Sequence, residues 1–231
     1  MTDIKSKAKS GMLWSFMIQG GTQVINFVVT IILSRLLMPE QFGSIGMISI
    51  FLAIGAALVD GGFVTSLIRT QDADDVDYST VFFVNLFSSI FLYGVLFFTA
   101  PLVATFFKQA ILVDLIRVQS LGLIIAAFSL VQSTKLNKEL QFRIQFKLQI
   151  PALIISAIAA VLFAYLGFGV WSLVAKELIY TFLASAQLWW YSKWTPKFII
   201  DKEKIKYHFK FGYKVSLTSI LDTIFKNLYN V

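Results

Sequence analysis

The sequence predicts an all-α membrane protein: a polytopic bundle of six transmembrane helices plus the start of a seventh, with a cytoplasmic N-terminus. Of its 231 residues, 57% are hydrophobic and 14% are charged, whereas soluble domains carry about 25% charged residues. Several apolar runs reach the ~20 residues that a helix needs to cross a bilayer. These runs are continuous rather than alternating, which favours helices over a β-barrel.

Six apolar segments are long enough to cross the membrane. We expect the second to bend at Asp60, where two glycines follow, and the third to tilt or break at Pro101. A further apolar run begins at Phe209. The six predicted helices are Met12–Arg35, Gly43–Ile68, Ser79–Phe107, Ile111–Thr134, Leu148–Leu166 and Gly169–Tyr191.

The distribution of lysine and arginine predicts the orientation. With the N-terminus inside, 14 of the 20 basic residues lie in cytoplasmic segments, and the outer turns hold two, Arg35 and Lys108. Cytoplasmic loops normally hold the positive excess. The loop RTQDADDVDY is acidic, but acidic residues contribute little to orientation. The basic segment Met1–Gly11 precedes an apolar run that is too long for a signal peptide and has no small-residue cleavage site, so we expect it to be retained.

The loops predict three regions along the chain. Residues 1–191 form an N-terminal six-helix bundle, 192–210 a cytoplasmic basic linker, and 211–231 the beginning of a second, truncated bundle. The predicted outer turns are too short to hold a catalytic domain. We expect the end of the linker, DKEKIKYHFK, to lie as an amphipathic helix on anionic lipid headgroups, although it could instead bind a partner protein.

A polar stripe runs along the first predicted helix. Its members recur at spacings of three or four residues, so they share one helix face: Gln19, Gln23, Asn26, Thr30 and Ser34. Amides in hydrocarbon must be hydrogen-bonded. The stripe therefore either bonds to a neighbouring helix or lines a water-filled cavity, and its length favours the cavity. Asn85 and Tyr180 are expected to line the same cavity.

Charged residues inside predicted helices are the candidate substrate-binding groups. A charge in mid-membrane costs roughly 2.5–3.5 kcal/mol on insertion scales. We predict a cationic cavity formed by Arg117, Lys176 and Lys226, with Arg35 at its outer mouth. Arg117 could instead pair with Asp114 or extend to the membrane surface. Asp60 either accepts hydrogen bonds from backbone exposed at LVDGGF or is a titratable site for a coupling ion.

The remaining residues argue against catalysis. The chain has no cysteine and one histidine, His208. We find no metal-ligand cluster, no Gly-rich phosphate loop and no Ser-His-Asp arrangement, so we expect no catalytic residues, no metal and no cofactor. The net charge of +7 follows from the cytoplasmic loops and does not indicate nucleic-acid binding. A transporter fits better than an enzyme.

The chain resembles the oligosaccharide flippases, the Wzx-type polysaccharide transporters of bacterial envelopes. The resemblance lies in LSRLLMPEQFGSIGMI with GMLWSF before it and DGGFVTSLIR after it, then in APLVATFF, NKELQFRIQFK, LGFGVWSLVAKEL and KFGYKVSLTSIL. It implies translocation of undecaprenyl-pyrophosphate-linked oligosaccharides across the bacterial inner membrane during O-antigen, capsule or exopolysaccharide synthesis. It also implies a superfamily fold of twelve or more helices in two halves.

This resemblance sets the expected partners and the alternatives. The partners are the lipid-linked oligosaccharide, membrane lipids and polysaccharide assembly proteins, and we expect the chain to be the N-terminal half of such a protein. One alternative is a multidrug exporter of the same superfamily, whose cavity would carry acidic groups. Another is a non-transporting membrane scaffold for polysaccharide assembly.

Overall fold

A computed structural model describes the backbone of residues 2–228 and the side chains of residues 11–219 and of residue 221. All regular structure within this range is helical. The helices are α1 Thr2–Leu36, α2 Pro39–Asp60, α3 Phe63–Arg69, α4 Asp75–Phe107, α5 Leu112–Gln119, α6 Leu121–Lys138, α7 Phe142–Tyr165, α8 Trp171–Tyr191 and α9 Lys202–Leu228.

Five segments of the described chain are long and apolar enough to cross a membrane. They are Gly11–Leu36, Pro39–Asp60, Asp75–Phe107, Leu112–Lys138 and Phe142–Tyr165. The predicted all-helical membrane bundle is thereby confirmed. The sixth predicted span, α8, is 21 residues long but is interrupted by Lys176 and Glu177, and it is not among the five. The count of six and the orientation remain predictions.

The second predicted helix is wrong in its boundaries. It begins at Pro39, where the side chain of Gln41 accepts a hydrogen bond from the Met38 N–H. It then ends at Asp60, because Gly61 and Gly62 both adopt left-handed backbone conformations. A separate short helix, α3, follows.

The third and fourth predicted helices also differ from expectation. Pro101 does not break α4, which is continuous from Asp75 to Phe107. The predicted fourth helix is divided at the buried Ser120 into α5 and α6.

The missing N–H of Pro101 is compensated by an arginine. A proline in a helix leaves the carbonyl four residues earlier without its donor, and here that carbonyl belongs to Phe97. The Nε of Arg117 on α5 donates to it at 3.3 Å. The guanidinium also lies 4.2 Å from the centre of the Phe97 ring. Arg117 therefore repairs α4 and fixes α5 against it.

Small residues let α7 pack closely in the bundle. Ala157, Ala160 and Ala164 are buried against Val29 and Leu33 of α1. Small side chains allow helix backbones in membranes to approach and gain van der Waals contact. Helix α7 thus lies between α1 and α8, while α6 lies between α4 and α8.

A buried polar cluster fastens α9 to α3 and α4. His208 of α9 is 0% exposed, Asp77 of α4 is 1% exposed and Ser66 of α3 is 2% exposed. The His208 Nε2 lies 3.0 Å from Asp77 Oδ1, and its Nδ1 lies 2.8 Å from the Ser66 hydroxyl. The ammonium of Lys204 donates to Asp77 Oδ2 at 2.8 Å. We call these four residues the clasp.

The clasp is set in the N-terminus of α4. Asp77 Oδ2 also accepts the Asp74 N–H at 3.0 Å, while Asp74 Oδ1 accepts the Asp77 N–H at 2.9 Å. This reciprocal capping box satisfies backbone donors at the helix start. The hydrogen bond to Asp77 also raises the pKa of Lys204 above its usual value.

Two further features hold α9 in place. A Cβ added at Gly62 would clash with the carbonyl oxygen of Gly212, so only glycine allows α9 to cross the α2–α3 break this closely. The hydroxyls of Ser79 and Thr80 accept the backbone N–H groups of Lys197 and Asp201. Residues 202–210 of the predicted linker are therefore the first turns of α9.

We predict that Asp77→Asn destabilises the protein by about 2–3 kcal/mol. The change weakens the hydrogen bonds of this side chain to the cationic Lys204 and to the buried His208. The melting temperature in detergent measures this. Since the pKa of Lys204 is raised, the contribution of Lys204 to stability persists at neutral pH and is lost only as pH rises through that pKa.

Asp75→Asn is the matched control. Asp75 pairs with Lys197 at 3.4 Å, and both side chains are half or more exposed. Such pairs contribute about 0–1 kcal/mol to stability. Equal losses would contradict the clasp.

We also predict that Arg117→Ala destabilises the protein by about 1–3 kcal/mol, because the Phe97 carbonyl loses its donor. In a Pro101→Ala background, where the backbone N–H returns, the same change should cost less. A double-mutant cycle on the free energies of unfolding measures this coupling. Strictly additive effects would show that Arg117 does not act on the Phe97 carbonyl.

Candidate functional site

One interior cation meets the polar stripe of α1. The ammonium of Lys176 on α8 donates to the Asn26 Oδ1 at 2.8 Å. Both side chains are half-buried. Among the described residues, no carboxylate forms an ion pair with Lys176. The neighbouring Glu177 is exposed, and adjacent helix positions do not face each other. This pair is the candidate site.

The other members of the α1 stripe share its face and form no hydrogen bond to another helix within the described part of the chain. Gln19, Gln23 and Thr30 are exposed, and Gln19 donates to the Ser15 hydroxyl one turn before it, at 3.4 Å. Of the two predicted roles, Asn26 takes the interhelical hydrogen bond. The others lie open on the surface of the described bundle, where they extend a polar strip on both sides of Asn26.

Two further predicted cavity residues lie on α8 and α4. Tyr180 is one turn beyond Lys176 on α8 and is half-buried. Asn85 of α4 is 0% exposed, and neither of its amide atoms is hydrogen-bonded to any residue that the structure describes. The same holds for Gln132 of α6, which our sequence reasoning did not single out. Neither amide forms a hydrogen bond with Lys176.

The described members of the predicted cationic set have different partners. Arg117 is engaged with Phe97 of α4, so its guanidinium has a structural role. Arg35 is exposed in the last turn of α1. Lys226 lies outside the residues whose side chains are described. Among the described residues of the predicted site, the structure shows a direct hydrogen bond between Lys176 and Asn26.

Two roles were predicted for Asp60, and the structure shows the first, in which it accepts a hydrogen bond from the backbone. Its carboxylate accepts the Val64 N–H at 3.2 Å across the Gly61–Gly62 break. It thereby satisfies one of the free donors at the start of α3. A role in ion coupling remains a hypothesis that this hydrogen bond does not require.

We expected no Ser-His-Asp arrangement, and this expectation is wrong: the structure brings three such residues together. Ser66, His208 and Asp77 form a hydrogen-bonded chain, and the motif search missed it because the three lie on different helices. All three are buried, and the hydrogen-bonded chain joins α3, α4 and α9. The complementary charges of RTQDADDVDY and the basic segment before Phe209 are the sequence signal that indicates this contact. In the described part of the chain, no three His, Asp or Glu side chains are placed to hold a metal ion.

Two curated relatives are named for the biosynthesis or transport of bacterial polysaccharides. The chain is 27% identical over 192 residues to the succinoglycan biosynthesis transport protein ExoT of Rhizobium meliloti, covering 83% of this chain and 39% of the relative. It is 27% identical over 220 residues to the teichuronic acid biosynthesis protein TuaB of Bacillus subtilis, covering 92% and 44%. The chain thus spans about two fifths of the length of these relatives.

A solved structure supports the fold. The crystal structure of a MATE protein in complex with Br-NRF matches with a TM-score of 0.63 and 21% sequence identity. The match covers 90% of this chain and 53% of that one. At this identity the likeness shows the helical membrane fold alone.

The family itself is identified by sequence. The model of a family described as polysaccharide biosynthesis protein matches residues 32–231, most of the chain. The motifs from LSRLLMPEQFG onward lie within this match. Because this match covers well over half of the chain, the chain belongs to the polysaccharide biosynthesis protein family.

Proposed function

We propose that this chain is part of a flippase that moves an undecaprenyl-pyrophosphate-linked oligosaccharide across the bacterial inner membrane. The observation that carries the proposal is the contact between Lys176 and Asn26. It is a cation held inside a membrane bundle by a neutral amide rather than by a carboxylate. Such a charge is costly in a membrane and is rarely incidental.

The chemistry of this pair suits an anionic group. An ammonium has three donors, and Asn26 takes one of them. The remaining donors have no partner among the described residues and could bind oxygens of a pyrophosphate or an acidic sugar, and charge-assisted bonds of this kind are about twice as strong as neutral ones. The exposed amides of Gln19 and Gln23 offer hydrogen bonds to sugar hydroxyls along the same face.

Transport of this kind makes and breaks no covalent bond. In a protein of the length of its relatives, α9 would open a second bundle, and rocking of the two bundles would give alternating access to the polar face. We further propose that Arg35, at the outer end of α1, contacts the anionic group on exit. The lipid tail would stay in the bilayer throughout.

We predict that Lys176→Gln, introduced into the gene in its own cells, lowers surface polysaccharide roughly tenfold or more, because one charge-assisted contact is lost. Polysaccharide is measured by gel and staining, and membrane abundance by immunoblot. The matched control is Lys206→Gln, an exposed lysine on α9, which should export normally. Normal polysaccharide in the Lys176→Gln cells would contradict the role of this cation.

A change at the partner residue tests the charge rather than the shape. Asn26→Asp keeps the size of the side chain but neutralises Lys176 by an ion pair, so we expect export to fall as in Lys176→Gln. Asn26→Ser removes the hydrogen bond and leaves the cation, so export should be reduced less. The reverse order, with Asn26→Asp closer to wild type, would show that the amide matters only for helix packing.

A further inference from the structure

A second group of cations surrounds a cavity between α3 and α9. The cavity has a volume of about 350 Å³ and is lined by Ser66, Arg69, Thr70, Tyr207, Lys210, Phe211 and Lys214. Three of these residues are basic and none is acidic. The cavity adjoins the clasp, because Ser66 contributes to both.

The basic residues around α9 divide into two sets. Lys204 is paired with Asp77, and Lys197 is paired with Asp75. Among the described residues, no ion pair involves Arg69, Lys210 or Lys214. The acidic start of α4 thus neutralises one side of the basic segment. The side that faces the cavity keeps its charge.

One of the three cations is held in position. The guanidinium of Arg69 lies 4.4 Å from the centre of the Phe211 ring, and that ring belongs to α9. A cation over an aromatic face is attracted to the ring, so Arg69 is fixed towards the helix that carries the two lysines. Lys210 and Lys214 are four residues apart and lie on one face of α9. Three like charges are therefore directed at one space, which favours an anion.

The surroundings indicate that the anion is carried on a lipid. Exposed apolar side chains adjoin the cavity in sequence, namely Ile68, Phe209 and Tyr213. Phe209 and Tyr213 stack with their ring centres 6.0 Å apart. Lys210 also ends the predicted cytoplasmic linker, the level at which the headgroups of the inner leaflet lie. Clustered lysine and arginine beside apolar surface at this level bind lipid phosphates.

We propose that this cavity binds the phosphate of a lipid headgroup through Arg69, Lys210 and Lys214. The same chemistry fits an anionic phospholipid of the inner leaflet and an isoprenoid diphosphate entering from the cytoplasmic side. The site is separate from Lys176, and binding there does not require the proposed translocation.

Native mass spectrometry of the purified protein in a phosphate-free detergent tests the site. The probes are phosphatidylglycerol, farnesyl diphosphate and inorganic pyrophosphate, each titrated separately. Lys210→Gln with Lys214→Gln should weaken binding of the lipid probe roughly tenfold or more, since each cation near a lipid surface contributes on the order of 1 kcal/mol. Lys202→Gln with Lys206→Gln removes the same charge at the same spacing from exposed positions of α9 and should leave binding within about twofold.

The outcomes separate the two lipid sources. Adducts of phosphatidylglycerol alone support a phospholipid site, and adducts of farnesyl diphosphate in preference to it support an isoprenoid diphosphate. Equal weakening by both double variants would overturn the proposal in favour of general surface charge. Binding of pyrophosphate without either lipid would overturn the lipid assignment, and a lack of any adduct would overturn the site. Matching melting temperatures of the two variants exclude unfolding as the cause.

Discussion

The carboxylate of Asp77 is the group on which the arrangement of α9 depends. A buried charge is stable only when its partners compensate for lost hydration, and here both oxygens are used, one by His208 and the other by Lys204 and the Asp74 N–H. Because these donors come from α9 and from α4 itself, the carboxylate sets the position of α9 along α4. That position places Gly212 against the break after α2 and forms the cavity beside Arg69. Removing the carboxylate would therefore affect the packing of three helices at once.

Arg117 shows how a charge in a membrane helix can be required by the backbone. Intramembrane charges are functional candidates by default, and the sequence placed Arg117 in a substrate cavity. The structure instead directs it to the carbonyl that Pro101 leaves without a donor. The two residues are sixteen positions apart and on different helices, so the role of neither can be read from its own helix. A proline in one helix and an arginine in the next are a combination to examine before a charge is assigned to transport.

The elements of the fold that depend on local physics were predictable. Continuous apolar runs specify helices because lipid offers the backbone no hydrogen-bond partners. The paired glycines predicted the break after Asp60. The contact of Lys176 with Asn26 was half-predicted, since both residues stood on polar faces but nothing in the sequence paired α1 with α8. The clasp was not predicted, because Asp77 and His208 are 131 residues apart and neither belongs to a periodic pattern. Only the opposite charges of their two segments pointed to it.

The positive charges of this chain differ in function according to the partner that each one has. Lys204 faces a carboxylate and Arg117 a carbonyl, so their donors are directed at the protein and their roles are structural. Lys176 faces one amide oxygen and has no ion-pair partner within the described part of the chain. Arg69, Lys210 and Lys214 form no ion pair within the described chain and line one cavity. The number of donors that the described fold leaves unused is therefore the basis on which we propose two anion sites, one between α1 and α8 and one between α3 and α9.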